Sequence, residues 1–458
     1  MDCLKTDDGR EATALTALAA EEFDGWLEGQ DDTVKVWLSV SGFKGKAGAT
    51  CLIPGADGDG ARALLVHEGA GDLWSWGGAA HSLPAGTYRI EGGADDASTA
   101  DNACLGWALG CYRFDRYKKN EDSPRILLRP TAADATRVDA MASGIYLTRD
   151  LVNTPASDMG PAELAGAAEA LAAEFCGTVE VTEGDALLAE NFPMIHAVGR
   201  ASDRAPRLVD LSWGDADHPG LTLVGKGVCF DTGGLDLKPA GAMQMMKKDM
   251  GGAAQVLGLA RMIMATDLPV RLRVLIPAVE NSVSSNAFRP LDILDSRKGI
   301  TVEIGNTDAE GRLVLGDALT LACEEAPTLL IDFATLTGAA RVALGTDLPA
   351  MFSNDDGLAA DLLNHGVASN DPIWRLPLHK PYRKLLDSKI ADTNNISPGG
   401  FGGAITAALF LEKFVAEGTP WAHFDLMSWN TSSKPGRPEG GEAQAIRGVF
   451  SALCERFG

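Results

Sequence analysis

Between Ile304 and Leu313 the chain reads Ile-Gly-Asn-Thr-Asp-Ala-Glu-Gly-Arg-Leu. The charged residues of this stretch, Asp308, Glu310 and Arg312, stand at alternate positions. Alternate side chains of an extended backbone share one face, so the pattern predicts two carboxylates and a guanidinium directed into one space. This grouping is typical of a site that binds a metal and an anion, although a solvated, charged turn would contain the same residues.

A second group of charged residues follows a hydrophobic stretch upstream. Residues 221–224 are mostly apolar and predict a buried strand. Lys226 and Asp231 come where that strand would end, and ligand sites of open α/β sheets lie at the carboxyl ends of strands. Lys238 and Asp249 follow, and Asp249 is soon succeeded by small residues that allow close approach of the backbone.

The glycines around Lys226 superficially suggest a phosphate-binding loop. The Walker pattern requires a glycine, four residues and then Gly-Lys-Ser/Thr. That pattern is absent from the segment, and no Gly-x-Gly-x-x-Gly fingerprint occurs there. We therefore do not expect a nucleotide site at this loop.

Four carboxylates, on Asp231, Asp249, Asp308 and Glu310, favour a metal site instead. Oxygen ligands suit Mn²⁺ and Mg²⁺ and can also hold Zn²⁺. Gathered without a cation, these carboxylates would repel one another strongly, and two divalent ions would neutralise them. Lys226 could join them as a ligand only after its amine loses a proton, which burial and adjacent cations favour.

Together these residues resemble the cytosolic leucine aminopeptidases, a family of di-metal leucyl aminopeptidases. The octapeptide of residues 306–313 is that family's complete signature, and the lysine and aspartate spacings upstream match as well. The resemblance covers roughly residues 150–450 and includes Ala334-Thr335-Leu336-Thr337-Gly338-Ala339. It implies a metalloaminopeptidase that releases N-terminal amino acids from peptides by means of a water activated between two metal ions.

The resemblance also implies a metal ligand set. Asp231 and Glu310 would bridge two divalent ions, either Mn²⁺ or Zn²⁺, with Mg²⁺ as a further candidate. Lys226 and Asp249 would complete the tighter metal site, and Asp308 would complete the looser one.

Two further residues would act on the peptide bond according to the same resemblance. Lys238 would stand free of the metals and polarise the scissile carbonyl. Arg312 would hold a bicarbonate ion that acts as the general base. The residues implied to bind substrate are Met246, Thr335, Leu336, Gly338 and Met427.

The sequence allows more than one interpretation of two of these substrate residues, Met246 and Met427. Met246 could equally line the pocket for the first side chain or pack in a helix core. Met427 and Ser428 stand where better-known family members carry small residues, just after a strand at 421–425 that matches the family. A larger residue at that point would reshape or shrink the pocket, so leucine need not be the best substrate.

Composition limits the classes of partner. The net charge of −23 would repel a polyanion, so no nucleic acid partner is expected. No stretch of about 18 apolar residues suggests a membrane span, and no apolar segment after the first residues suggests a signal peptide. The eight cysteines are scattered without a Cys-x-x-Cys motif, which favours reduced thiols and a cytoplasmic location.

The pattern of strands and helices predicts an α/β protein of two domains. We expect a small, variable α/β N-terminal domain over residues 1–135, a linker helix over 136–155, and a larger catalytic domain over 156–458. Short strands are predicted at Val34–Leu38, Ala63–His67 and Thr87–Ile90. Alternating strands and helices in the larger domain favour a mostly parallel central sheet flanked by helices. The resemblance implies that the N-terminal domain serves assembly, with a homohexamer as the expected oligomer.

Two alternatives to the aminopeptidase stay open at this point. One is a dipeptidase, for example one that acts on cysteinyl-glycine, and substrate length would separate the two. The other is a non-catalytic regulatory protein on the same scaffold, which the intact set of charged residues argues against. Neither the preferred N-terminal residue nor the metal used in the cell can be read from the sequence.

Overall fold

The computed structural model describes residues 1–55, 60–69, 71–119 and 123–458. The chain divides into two compact units, Met1–Tyr146 with Ser432–Glu439, and Leu147–Thr431 with Gly440–Gly458. The boundary between the two units at Tyr146 and Leu147 falls inside a single helix, Ala135–Asn153. No feature of the sequence indicated that residues 432–439 belong with the first unit.

The first unit contains a six-stranded sheet. Its strands are β1 (Leu4–Thr6), β2 (Thr13–Ala19), β3 (Thr50–Pro54), β4 (Ala61–His67), β5 (Gly86–Ile90) and β6 (Arg125–Arg129). They lie in the order β1-β6-β5-β2-β4-β3, and every pair is parallel except β3 with β4. The helices are α1 (Phe23–Glu28), α2 (Asp32–Val40), α3 (Trp74–Ser82), α4 (Ala97–Cys111) and α5 (Ala135–Asn153), with a 3₁₀ turn at Ala20–Glu22.

One predicted strand of this unit is wrong. Residues 34–38 lie in helix α2, whereas the strands predicted at Ala63–His67 and Thr87–Ile90 are confirmed as β4 and β5. Asp31 caps α2 by accepting a hydrogen bond from the Val34 backbone at 2.9 Å. Val34 and Leu38 are buried, and four residues is the repeat of one helix face. The apolar residues between them are exposed, so their alternation imitated a strand.

The second unit is built on a nine-stranded sheet. Its strands are β7 (Thr178–Glu183), β8 (Arg207–Trp213), β9 (Gly220–Gly225), β10 (Gly227–Asp231), β11 (Arg271–Asn281), β14 (Leu329–Ala334), β15 (Ala350–Ser353), β16 (Trp374–Arg375) and β18 (Trp421–Asp425). The order is β16-β15-β18-β14-β9-β11-β8-β7, and β10 pairs with β11 beyond the end of β9. The central strands β18, β14, β9 and β11 are mutually parallel, whereas β15, β8 and β7 join antiparallel.

The remaining strands of this unit form two small sheets. They are β12 (Ile293–Asp295), β13 (Thr301–Glu303) and β17 (Thr393–Asn394) in one, and β19 (Trp429–Asn430) and β20 (Gly440–Gly441) in the other.

Helices connect the strands of the second unit. They are α6 (Pro161–Glu174), α7 (Ala186–Ala189), α8 (Pro193–Gly199), α9 (Ala240–Met243), α10 (Gly251–Ala265), α11 (Gly311–Glu324), α12 (Gly338–Leu344), α13 (Asp356–Ala368), α14 (Gly403–Glu412) and α15 (Ile446–Phe457). Short 3₁₀ helices occupy Ala156–Asp158, Met246–Met250 and Lys380–Leu386. Among the described residues, no helix is both long and apolar enough to cross a bilayer.

Burial of the central strands explains their sequences. Every residue of β14 is buried, and so are five of the six residues of β9. Parallel strands covered by helices on both faces read as continuous apolar runs, which is why the sequence predicts them correctly. The functional polar residues begin where these runs stop, so the core places them at one edge of the sheet.

Candidate metal centre

Three of the predicted carboxylates meet at the carboxyl edge of the sheet. Asp231 ends β10, while Asp308 and Glu310 precede α11. One ligand oxygen from each of the three lies within 4.8 Å of the others. Asp231 and Glu310 are buried, and the Asp308 side chain keeps 33% of its surface exposed. The structure therefore brings together residues that the sequence separates by more than a strand and a helix.

The backbone that presents Asp308, Glu310 and Arg312 is not extended, contrary to the sequence-based expectation. Asp308 lies in a turn closed by its own backbone N–H, which donates to Asn306 Oδ1 at 2.6 Å. Glu310 adopts helical angles, φ −75° and ψ −35°, and Arg312 is in the first turn of α11. The three side chains still converge, because a turn followed by a helix start redirects them as alternation in a strand would.

Two lysines lie among the carboxylates. Lys226 Nζ is 2.7 Å from Asp249 Oδ2 and 3.0 Å from Glu310 Oε1. Lys238 Nζ is 2.8 Å from Asp231 Oδ2 and also contacts Asp308 Oδ1. The ammonium groups thus take the charge-neutralising place that divalent cations would take in the same cluster.

The donor set fits metal ions. Asp249 Oδ2 and Asp308 Oδ1 are buried and lack a hydrogen-bond partner in the described chain, although each lies at ion-pair distance from a lysine. The distances are short but the angles form no hydrogen bond, so these oxygens keep lone pairs available. Oxygen ligands of this kind suit divalent ions such as Mn²⁺ and Mg²⁺ and can also hold Zn²⁺.

Burial shifts the protonation of the cluster. Burial, and then the charge of Asp231, raise the pKa of Glu310 to about 8 and the pKa of Asp308 to about 6. Burial alone would lower the pKa of Lys226, but Asp249 and Glu310 outweigh it and raise that pKa above its ordinary value. A bound cation favours the deprotonated form of every ligand, so metal binding at this centre must release protons.

Arg312 is a buried cation with a spare donor. Its Nη1 donates to the Asn395 carbonyl at 2.6 Å, while its Nε has no partner among the described residues. Burial lowers the pKa of Arg312 to about 10, which leaves the guanidinium charged at neutral pH. A charged, buried N–H without an acceptor is suited to hold a small anion.

A cavity of about 560 Å³ opens onto this cluster. Its wall includes all the predicted site residues except Glu310 and Met427, namely Lys226, Asp231, Lys238, Met246, Asp249, Asp308, Arg312, Thr335, Leu336 and Gly338. Glu310 lies behind the wall at 1% exposure, within reach of the carboxylate cluster. Met246 is buried and also lines the cavity, so it both packs in the core and forms part of the cavity wall.

Met427 does not line the cavity, and Leu426 stands on the wall instead. The chain turns after β18, because the backbone N–H groups of Met427 and Ser428 both donate to Gln444 Oε1, at 3.2 and 2.8 Å. Ser428 has a positive φ of 55°. The turn buries Met427 behind the wall, where its sulfur lies 3.2 Å from Arg341 Nη1.

Asp425 and Asn281 organise the site but were not identified from the sequence. Asp425 Oδ1 accepts the backbone N–H groups of Leu336 and Thr337, each at 3.0 Å, and Oδ2 accepts the Thr337 hydroxyl at 2.5 Å. Asn281 Nδ2 donates to Asp231 Oδ1 at 2.9 Å. A polar residue at the carboxyl end of a buried parallel strand is the signal that could have identified both.

Comparisons with known proteins identify the family of the chain. The family model described as "Cytosol aminopeptidase family, catalytic domain" matches residues 146–450, and "M17 aminopeptidase, N-terminal domain" matches residues 13–130. A probable cytosol aminopeptidase of Sinorhizobium medicae is 39% identical over 450 residues, which cover 91% of this chain and 90% of that protein.

Two solved structures are similar over nearly the whole length. A cytosol aminopeptidase from Coxiella burnetii superposes with a TM-score of 0.95 at 48% identity, covering 100% of each chain. The bottromycin maturation enzyme BotP in complex with Mn has a TM-score of 0.88 at 34% identity, covering 97% of this chain and 100% of that one. From the family matches and the assembled site, the chain belongs to the cytosol aminopeptidase family and is a metalloaminopeptidase with an N-terminal domain and an α/β catalytic domain.

Proposed function

We propose that this chain hydrolyses the first peptide bond of its substrates with two divalent metal ions held by the carboxylate cluster. The observation that carries the proposal is the meeting of Asp231, Asp308 and Glu310 within 4.8 Å beside a cavity wall that includes Lys226, Lys238 and Arg312. Two bound metal ions would supply an acidified water and an anchor for the substrate's free α-amine.

The ligands divide between two metal positions in this proposal. Asp231 and Glu310 would contribute to both, Lys226 and Asp249 would complete the first, and Asp308 would complete the second. The contact of Lys226 Nζ with Asp249 and Glu310 supports its grouping with these carboxylates. Thr335 Oγ1 donates to Asp249 Oδ1 at 2.8 Å and orients that carboxylate.

Lys238 polarises the scissile carbonyl. Its side chain is 12% exposed, and it lines the cavity. The Asp231 and Asp308 carboxylates overcome the effect of burial and raise the pKa of Lys238 above its usual range. The amine is therefore an ammonium at neutral pH, and it can stabilise negative charge that develops on the carbonyl oxygen.

Arg312 holds a bicarbonate ion that serves as general base. The unpaired Nε and the fixed Nη1 give the guanidinium a preset orientation toward the cavity, which Arg312 lines. An oxyanion held there by Arg312 would supply a general base for the attacking water and the leaving amine.

The segment Thr335–Gly338 binds the substrate backbone and first side chain. Asp425 fixes it through three hydrogen bonds, so its backbone groups keep one orientation along the cavity wall. Preorganised groups of this kind reduce the cost of aligning the peptide bond with its attacking group.

Three further assignments belong to the same proposal. Mn²⁺ is the first metal to test, since BotP was solved with Mn. A homohexamer in which the N-terminal unit serves assembly, and a cytoplasmic location, follow from the resemblance to the leucyl enzymes. A dipeptidase is the alternative that shares the same centre, because only the length of peptide accepted separates the two.

Turnover of aminoacyl anilides tests the function. Protein stripped of metal and refilled with Mn²⁺, Zn²⁺ or Mg²⁺ should release N-terminal residues only when refilled, and acetylation of the substrate amine should block release. Tripeptides and longer peptides should be trimmed as well as dipeptides. Hydrolysis of dipeptides alone would establish the dipeptidase, and stoichiometric metal binding without turnover of any substrate would overturn the proposal.

A further inference from the structure

Lys248 is a buried lysine on the wall of the same cavity that the metal centre does not use. It lies in the 3₁₀ helix beside Asp249, and only 3% of its surface is exposed. Its Nζ is 4.0 Å from Asp249 Oδ1, an oxygen that already accepts the Thr335 hydroxyl at 2.8 Å. Its amine forms no hydrogen bond within the described part of the chain. Because Lys248 lines the cavity, the N–H donors of this amine are available to a ligand.

Arg341 is a second cation on this wall. It belongs to α12, and its Nη2 would lie 3.6 Å from a Cβ placed on Gly338, so the guanidinium covers the segment that follows β14. The polar contact of its side chain is with Met427 Sδ at 3.2 Å, and a thioether is a weak acceptor. Within residues 123–458, no carboxylate oxygen lies at ion-pair distance from it.

The nearest carboxylates are already committed elsewhere. Both oxygens of Asp425 accept hydrogen bonds from Leu336 and Thr337. Asp249 is paired with Lys226 at the metal centre. A cation withdrawn from water without a matched anion is unfavourable. Lys248 is buried and Arg341 is partly buried, so their charges are best satisfied by an anion that arrives from the cavity.

The same cavity wall also carries apolar side chains. The side chains involved are those of Met245, Met246, Leu336 and Leu426. Ligand pockets typically combine such a surface with a few polar groups that fix orientation. A ligand side chain with an apolar methylene stem and a terminal carboxylate would match a cavity wall that combines apolar side chains with two cations.

We propose that Arg341 and Lys248 form the recognition site for an acidic first side chain, so that the enzyme prefers peptides that begin with glutamate over those with the neutral isostere glutamine. The inference rests on the proposed aminopeptidase function, in which the substrate's α-amine is held at the metal centre. The guanidinium then pairs with the side-chain carboxylate through two N–H donors, and the Lys248 amine donates to the same group.

Discrimination follows from the cost of leaving the cations unmatched. A glutamine side chain would offer one carbonyl oxygen and two N–H groups, and it would bring no charge. Sites built to bind a charged or polar group reject analogues that leave those buried groups unpaired by large factors. A leucine side chain would satisfy the apolar walls alone and would leave both cations unpaired.

The test compares glutamyl, glutaminyl and leucyl p-nitroanilides with the Mn²⁺-loaded protein. We expect kcat/KM for the glutamyl substrate to exceed that of the glutaminyl substrate by about tenfold or more. R341L and K248M should each reduce this ratio toward one, and R341K should restore part of it. K389M removes an exposed lysine that does not line the cavity and should keep the ratio of the unaltered protein.

Binding of free amino acids supplies a readout that does not depend on turnover. Glutamate should bind the Mn²⁺-loaded protein more tightly than glutamine by titration calorimetry, and R341L should remove the difference. Circular dichroism would verify that each variant is folded. Efficient leucyl release with no preference for glutamyl over glutaminyl substrates would overturn this inference and leave the proposed function standing. Absence of turnover for every substrate and metal would overturn both.

Discussion

Two groups of charged side chains lie at one cavity, and their charges are balanced in opposite ways. At the proposed metal centre, four carboxylates surround Lys226 and Lys238, and each lysine contacts two carboxylates. A short distance away, Lys248 and Arg341 have no such matching. A group with excess negative charge is stabilised by bound cations, whereas a group with excess positive charge is stabilised by a bound anion. The sign of the unmatched charge in a group of side chains, more than its residue types, therefore indicates what the group binds.

Removal of Asp249 should have the largest effect, because it breaks the first group. Asp249→Ala leaves the Lys226 ammonium with one fewer partner and deletes a proposed ligand of the tighter site. Breaking a buried ion pair typically costs about 3–5 kcal/mol, so a lower melting temperature accompanies the loss of metal. Metal analysis after dialysis should show about one ion fewer per chain, and anilide turnover should fall by about 10³-fold or more.

The matched control is Asp210→Asn, which weakens a partly exposed ion pair with Arg273 between the antiparallel strands β8 and β11. Its metal content should equal that of the unaltered protein. Full metal occupancy in Asp249→Ala would remove this residue from the ligand set.

Lys238→Ala should separate catalysis from metal binding inside the same group. The lysine contacts Asp231 and Asp308 but is proposed to act on the carbonyl, so metals should remain bound. Loss of one donor to a developing oxyanion costs about 10²–10³ in kcat. Metal analysis together with kcat and KM would measure the split. Retention of full turnover would refute the role assigned to Lys238.

Asp425→Ala should have a moderate effect and lies between the two groups. It frees the backbone N–H groups of Leu336 and Thr337, and a buried donor left unsatisfied costs about 1–3 kcal/mol. We expect metal content to stay unchanged while KM rises and kcat/KM falls by about tenfold. A fall in bound metal instead would place Asp425 in the metal centre rather than in the support of the substrate segment.

The smallest effect concerns pH and the stability of the metal-free protein. The pKa of Glu310 is raised to about 8 from its ordinary value near 4.5, so the folded state binds a proton that the unfolded state releases. The stability due to this proton is fully present below the unfolded pKa and is lost as pH rises through about 8. Melting temperatures of the metal-free protein should therefore fall between pH 5 and pH 8.

Mn²⁺ should stabilise the protein more at pH 8 than at pH 6, because at the higher pH the ligands are ionised and a bound cation replaces the lost proton. Glu310→Gln, which cannot titrate, should flatten the metal-free profile. A metal-free melting temperature that rises steadily over this range would show that other groups control it.

Local sequence motifs predicted most of the residues of the proposed metal centre. The octapeptide at 306–313 and the lysine and aspartate spacings indicated the proposed site residues, and apolar runs such as residues 221–224 predicted the strands that position them. Such runs report burial on both faces of a parallel sheet, which is a property of each segment by itself. Where local alternation was ambiguous the prediction failed, since residues 34–38 form α2 and residues 308–312 form a turn and a helix start.

Tertiary structure alone decided what the rest of the cavity wall contains. The sequence holds many single lysines and arginines, and nothing near Lys248 or Arg341 marks them as neighbours of one cavity. Gln444 turns Met427 away from that cavity by accepting two backbone N–H groups, and Asp425 is committed to the segment after β14. The sequence by itself identified the family and the mostly parallel sheet and predicted the ligand set, because residue type and spacing encode them. Only packing between distant segments determined which charges lack partners.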